Sequence, residues 1–199
     1  MRSADAKTGR EAIIRAAFRV FGEGGIQSTS LREVARAAEV SPALIVHHFG
    51  GKDGLVAATD EAAVRRFGDA YRGTDAAAEA AGDLLRERAA QTARVMAAMP
   101  EVCAYLGRAL VEGTAGSAAL FALMVEGGRE EIEGLAAAGA LRPDADLTWA
   151  TLQHFFLIWA PLSFMPLLEG TLGEGLLAPS QLERWVEANV RLLEQGLYS

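Results

Sequence analysis

Cysteine is all but missing from this chain: Cys103 stands alone in 199 residues. No internal disulfide can form, which fits a reducing cytosol. The first residues, Met1 to Lys7, lack the apolar run of a secretory signal. The longest nearly unbroken apolar stretch, Phe155 to Leu168, contains Ser163 and two prolines. It falls short of the roughly 20 residues that cross a bilayer, so it is read as buried in protein. A cytoplasmic location with no membrane partner is the expectation. Strand-period alternation, internal repeats and low-complexity tracts are missing too. No nucleophile and base, metal motif or carboxylate dyad stands at catalytic spacing, so neither an enzyme nor a bound cofactor or metal is expected.

What is present is hydrophobic and unevenly charged. Hydrophobic residues make up 51% of the chain, enough for a substantial core. The net charge of −7 divides sharply: residues 1 to 53 carry eight Lys/Arg against six Asp/Glu, a sum of +2, and the rest carries eleven against twenty, a sum of −9. The two parts are therefore expected to meet different partners.

Helical periodicity runs almost throughout. Ile13, Ala17, Val20 and Phe21 recur at helical spacing from Arg10 to Glu23, and Gly24-Gly25 end that helix. Ser30-Leu31-Arg32-Glu33 is a capping box opening a short helix to about Ala38. Glu39-Val40 turns the chain, Ser41 caps again, and Pro42 takes the first helical position, where its missing amide hydrogen costs nothing. Two short helices across a tight turn predict a helix-turn-helix. Further helices are predicted over Lys52 to Tyr71, Asp75 to Ala98, Glu101 to Glu112, Ala118 to Ala138 and Asp146 to about Pro166, the last kinked at Pro161. Ser180 to Glu183 reads as a second capping box. Beyond it, Leu182, Val186, Val190, Leu193 and Leu197 form one apolar stripe.

The amphipathic first helix ending in Phe21-Gly22, the segment TSLREVARAAEVS and the junction HHFGGKDGL together resemble the DNA-binding domain of the TetR family of bacterial transcriptional regulators. The resemblance covers about the first quarter of the chain, and the remainder matches only as a helical region of the expected length. It implies an all-α protein: a helix-turn-helix three-helix domain over 1–51, then a larger helical effector-binding and dimerisation domain over 52–199. The family usually has tyrosine where Val46 stands and often glycine where Glu39 stands. Losing that tyrosine shifts phosphate binding toward His47, His48 and Lys52. Glu39 must either avoid the left-handed backbone region or accept a modest cost there.

His47 and His48 diverge by about 100° on a helix, so they do not converge on one metal, and no Cys or further His stands near them in sequence. Phosphate or base contact is one reading; one ring packed and the other solvated is the second. Gly50-Gly51-Lys52 is no P-loop, because it lacks the earlier Gly and the Ser/Thr after Lys. It does offer close backbone approach, a helix N-terminus and one cation, which suit a DNA phosphate. The resemblance implies that the residue at Arg32's place is often directed into the major groove, where an arginine can bind guanine in bidentate fashion; a solvated surface charge is the other reading. Ser30, Ser41, Pro42, Ala43, Leu44 and Val46 complete the expected DNA contacts; Ala43 and Leu44 are thymine-methyl contacts or mere spacers. Ile45 and Phe49 are expected to pack inward with Val34 and Phe21.

The acidic remainder is rich in large apolar side chains, most of them expected in a core. A subset, Met99, Tyr105, Phe121, Phe155 and Trp159, with Arg108, Gln153 and His154 as polar anchors, is expected to line a pocket for a mainly apolar small molecule. Cys103 reads as a small buried hydrophobe. The last helix and the kinked one are expected to pair with their symmetry mates, Leu182, Val186, Val190 and Leu193 forming the seam. The composite expectation is a homodimeric, ligand-responsive repressor on a palindromic double-stranded operator. The alternatives are an activator or a regulator without a small-molecule effector; a structural adaptor would leave the charge division and the capped helix pair unexplained.

Overall fold

The computed structural model describes residues 2–72 and 81–196. Among them are ten helices: α1 (Arg2–Gly24), α2 (Leu31–Ala37), α3 (Pro42–Phe49), α4 (Lys52–Arg72), α5 (Ala81–Ala98), α6 (Pro100–Glu112), α7 (Ser117–Ala137), α8 (Leu147–Ser163), α9 (Met165–Leu172) and α10 (Pro179–Gly196). No strand occurs among the described residues, and no single described helix is long and apolar enough to cross a membrane. The expected helix start at Asp75 and the stripe residue Leu197 lie outside the described residues. Contacts gather into two units, Met1–Phe67 with Glu101–Leu120, and Gly68–Pro100 with Phe121–Ser199. The expected division after Gly51 follows the sequence, whereas α6 returns from a distance to join the first unit.

In the first unit, α1 buries Ile13, Ile14, Ala17, Phe18 and Phe21 on one face, and Gly25 closes it by donating to the Phe21 carbonyl at 2.9 Å. Tyr105 of α6 is wholly buried; its ring meets Phe18 edge-on at 5.4 Å and Phe21 at 6.2 Å. Its hydroxyl donates to Asp60 Oδ1 at 2.7 Å, and the Thr114 hydroxyl donates to Oδ2 at 3.2 Å. Burial pushes the Asp60 carboxyl above the usual range against the pull of these bonds. The folded chain thus holds the Asp60 proton more tightly than the unfolded one, and the stability this lends falls as pH rises through the raised value. Cys103, buried beside Tyr105's turn of α6, has its thiol pushed up to about 12 by burial. That is the chemistry of an inert core residue.

The second unit is built on Ile132, Leu135, Ala140, Leu141, Ala150, Val190 and Leu193, with α10 packed along α5. Three expectations change here. The stripe Leu182, Val190 and Leu193 is buried inside the protomer, with Val186 half-buried against the same core, so it is not available as a dimer seam. The apolar residues this unit leaves on the surface include Trp149, Phe156, Phe164, Leu167 and Leu192. The long helix containing Pro161 does not merely kink there: α8 runs on to Ser163, and α9 leaves at 83°. Pro166 has no amide hydrogen to continue the ladder, and Phe164 closes the turn on the Pro161 carbonyl at 3.2 Å. Finally, α10 starts at Pro179, one residue before the expected cap. Proline suits that first position, the Ala178 carbonyl takes the Gln181 and Leu182 amides at 3.0 Å, and the Ser180 hydroxyl bonds Glu174 instead of capping.

Candidate nucleic-acid interface

Both reciprocal bonds of the capping box at α2 are present: the Glu33 amide donates to Ser30 Oγ at 3.3 Å, and the Ser30 amide donates to Glu33 Oε2 at 2.7 Å. The Ser30 bonds hold the Glu33 carboxyl below its ordinary value. The turn that follows is tight, with Val40 donating to the Ala35 carbonyl at 2.9 Å, and it forces Glu39 to φ +57°. That is the left-handed region, so the second of the two alternatives holds. Such backbone costs an L-residue roughly 1 kcal/mol or more. Glu39→Gly is therefore expected to raise the unfolding free energy by about 1 kcal/mol, read as a higher urea midpoint with an unchanged slope.

On α3 the Ser41 side chain accepts the Leu44 amide at 3.3 Å and Pro42 opens the helix. The eight residues divide by face at helical spacing. Pro42, Ala43, Val46 and His47 are exposed, while Leu44, His48 and Phe49 are half-buried and Ile45 is fully buried. His47 and His48 thus fall on different sides, their rings edge-on at 5.4 Å. Phe49 lies under the Arg10 guanidinium, 5.1 Å from the ring centroid. Ser30, Arg32 and Ser41 are exposed on the adjoining turns.

The joint from α3 to α4 is glycine-dependent. Gly50 caps α3 in the left-handed region at φ +77°. A Cβ on Gly54 would lie 1.8 Å from the Phe49 carbonyl oxygen, so no other residue fits there. Lys52, half-buried at the start of α4, donates from Nζ to the Gln27 carbonyl at 2.8 Å. Sequence reasoning identified Lys52 but missed Gln27 and Arg10, whose roles depend on contacts between distant segments.

The residues expected around an effector divide between the units. Tyr105 is engaged with Asp60, and Arg108 donates from Nε to the Gly22 carbonyl at 3.4 Å, both in the first unit. In the second unit Phe121 meets Phe155 edge-on at 4.9 Å, Phe155 lies 6.4 Å from Trp159, Met99 is half-buried, and Gln153 is exposed. His154 Nε2 lies 3.6 Å from Glu131 Oε2, and Arg88 Nε lies 3.9 Å from Oε1. Burial pushes Glu131 up, but His154 and Arg88 outweigh it and the carboxyl ends below its ordinary value. The cavity beside this trio, about 30 Å³, has room for one water molecule. A groove of about 680 Å³ lies between α9 and α10, walled by apolar Leu168, Leu172, Leu176 and Trp185 and by charged Glu183, Arg184, Glu187 and Arg191. None of its wall residues was among the expected lining, because the sequence does not reveal the bend that sets α9 across α10.

Capped α2, the tight turn and an outward-faced α3 define a helix-turn-helix protein. Residues 13–59 match the family described as bacterial regulatory proteins, tetR family. The HTH-type transcriptional regulatory protein RaaS of Mycobacterium tuberculosis is 35% identical over 146 residues, 73% of this chain and 65% of that protein. The HTH-type transcriptional regulator BetI of Rhizobium meliloti is 40% identical over 86 residues, 43% of this chain and 40% of that one. These matches thus span less than two thirds of either relative's length. The fold is similar to that of the fatty acid degradation regulator FadR from Bacillus halodurans, with a TM-score of 0.75 at 18% identity, over 92% of this chain and 93% of that one. The matched domain and these relatives together support placing this chain with the tetR family of bacterial regulatory proteins.

Proposed function

We propose that this chain is a cytoplasmic, homodimeric transcriptional regulator that represses from a palindromic operator and responds to a mainly apolar small molecule, with residues 1–51 reading DNA and 52–199 serving effector binding and dimerisation. The observation that carries the DNA reading is the outward face of α3, Pro42, Ala43, Val46 and His47, next to exposed Ser30 and Arg32. The same face on a second protomer enters the next major groove, about 34 to 36 Å along the duplex. Exposed Trp149, Phe156, Leu167 and Leu192 support pairing through α8 to α10, since isolated protomers seldom leave such apolar area to water. The apolar side chains of the α9–α10 groove, and the Phe121, Phe155 and Trp159 cluster, support a mainly apolar effector. The effector releases DNA only by binding the non-operator conformation more tightly than the operator-bound one.

Selection of bound sequences from a random duplex pool tests the reading: palindromic sites with half-sites one helical turn apart are expected, and no enrichment refutes it. Lys52→Ala is expected to weaken specific and random DNA about equally and to lower the salt slope of log K by about 1, measured by titration at several salt concentrations. The Gln27 carbonyl occupies only one of the three ammonium donors, which leaves the others for a phosphate.

A further inference from the structure

The segment between α1 and α2 is held from far away in sequence. Glu112, the last residue of α6, accepts the Ile26 amide at 3.1 Å through Oε1 and the Gln27 amide at 2.8 Å through Oε2. Gly25 makes room for this carboxylate: a Cβ there would lie 2.9 Å from Oε1, on a backbone at φ +86°. The helix that carries Glu112 is itself seated on α1, where a Cβ on Gly22 would come within 3.0 Å of Ala104 Cβ, and Arg108 donates to the Gly22 carbonyl. One Cα further along the backbone, the Gln27 carbonyl accepts Lys52 Nζ at 2.8 Å. An unbroken line thus runs from Glu112 through the 26 and 27 amides to the Gln27 carbonyl and the Lys52 ammonium. Three residues beyond Gln27 stands Ser30, the cap of the helix that bears Arg32.

We propose that Glu112 is a positioning residue for DNA binding: by gripping two backbone amides it fixes where Lys52 and the capped start of α2 meet the duplex. The inference rests on the DNA-binding reading above. Its physical basis is geometric. Clamping the 26 and 27 amides fixes the backbone at the Gln27 Cα, and so fixes where the Gln27 oxygen meets Lys52 Nζ. The two bonds also reach across 86 and 85 residues, so they tie the loop to α6 and not merely to its own neighbours. Glutamine keeps the shape but offers one acceptor oxygen and turns an NH2 group toward the other amide; aspartate is one methylene too short to reach both.

The test uses the full chain as Glu112→Gln, Glu112→Asp, Glu112→Ala, Lys52→Ala and the Glu112→Gln/Lys52→Ala double variant. Affinity for the selected operator and for random duplex is measured at several salt concentrations, with thermal midpoints alongside. Glu112→Gln is expected to weaken operator binding about tenfold, as befits losing a charge-assisted bond, and to lower the salt slope by about as much as Lys52→Ala does. Adding Lys52→Ala to Glu112→Gln is expected to change little further, because both act through one contact. Should Glu112→Ala fail to fold, the near-isosteric glutamine variant still decides. A merely structural role predicts a lower thermal midpoint with the wild-type salt slope and full additivity, and either of those last two results overturns the proposal. A wild-type chain that binds no duplex fails the DNA reading itself, and takes the inference down with it.

Discussion

Val190→Glu is expected to unfold the second unit, not to release folded protomers. Val190 is fully buried in the protomer's own core with Ile132, Leu135, Leu141 and Leu193. An unpaired carboxylate in such a place costs on the order of 3 to 5 kcal/mol, a large share of the roughly 5 to 15 kcal/mol that holds a typical domain together. The variant should lose its cooperative thermal transition and its sharp near-ultraviolet signals, and sediment as an expanded or aggregated species. Leu192→Glu makes the contrast, because Leu192 is 59% exposed. This second variant should keep the wild-type helical signal while shifting sedimentation toward monomer. A compact, thermally stable monomer from Val190→Glu would contradict the assignment of that stripe to the core.

The other large effect is expected at Arg32. It stands exposed on the first turn of α2, whose start is fixed by both bonds of the Ser30 and Glu33 box. A guanidinium presented from a fixed helix end can grip both acceptors of a guanine, and losing that grip costs ~1 to 3 kcal/mol. That is about fivefold to somewhat over a hundredfold in operator affinity. The loss should be confined to sites carrying the preferred base, with random duplex bound nearly as before. Affinities across a panel of single-base operator changes decide it: a variant with the same preference at every position would remove Arg32 from base reading.

The sequence was informative wherever the physics is local. Ser30 with Glu33, and Ser41 with Pro42, mark helix starts through bonds spanning three residues, and α2 and α3 begin where those signals stand. The inward set Phe21, Val34 and Ile45 was legible for the same reason, since one helical turn repeats it. Reading failed where the covering partner lies far along the chain. The stripe of α10 announced a buried face but not whose surface buries it. Helix α8 is apolar on nearly every side, so nothing in its pattern separates buried Phe155 and Trp159 from exposed Trp149 and Phe156. Tyr105 and Arg108 read as pocket residues because their partners, Asp60 and Gly22, are 45 and 86 positions away.

The corner between α3 and α4 leaves no clearance, since the Phe49 oxygen occupies the space a side chain at residue 54 would need. The two helices therefore meet backbone against backbone at this corner, and a tilt of α4 is expected to carry α3 with it. The same fit makes position 54 a mutational dead end. Every missense change of its codon must add at least one carbon where a carbonyl already stands, so among variants selected for operator binding that codon should be recovered as glycine alone.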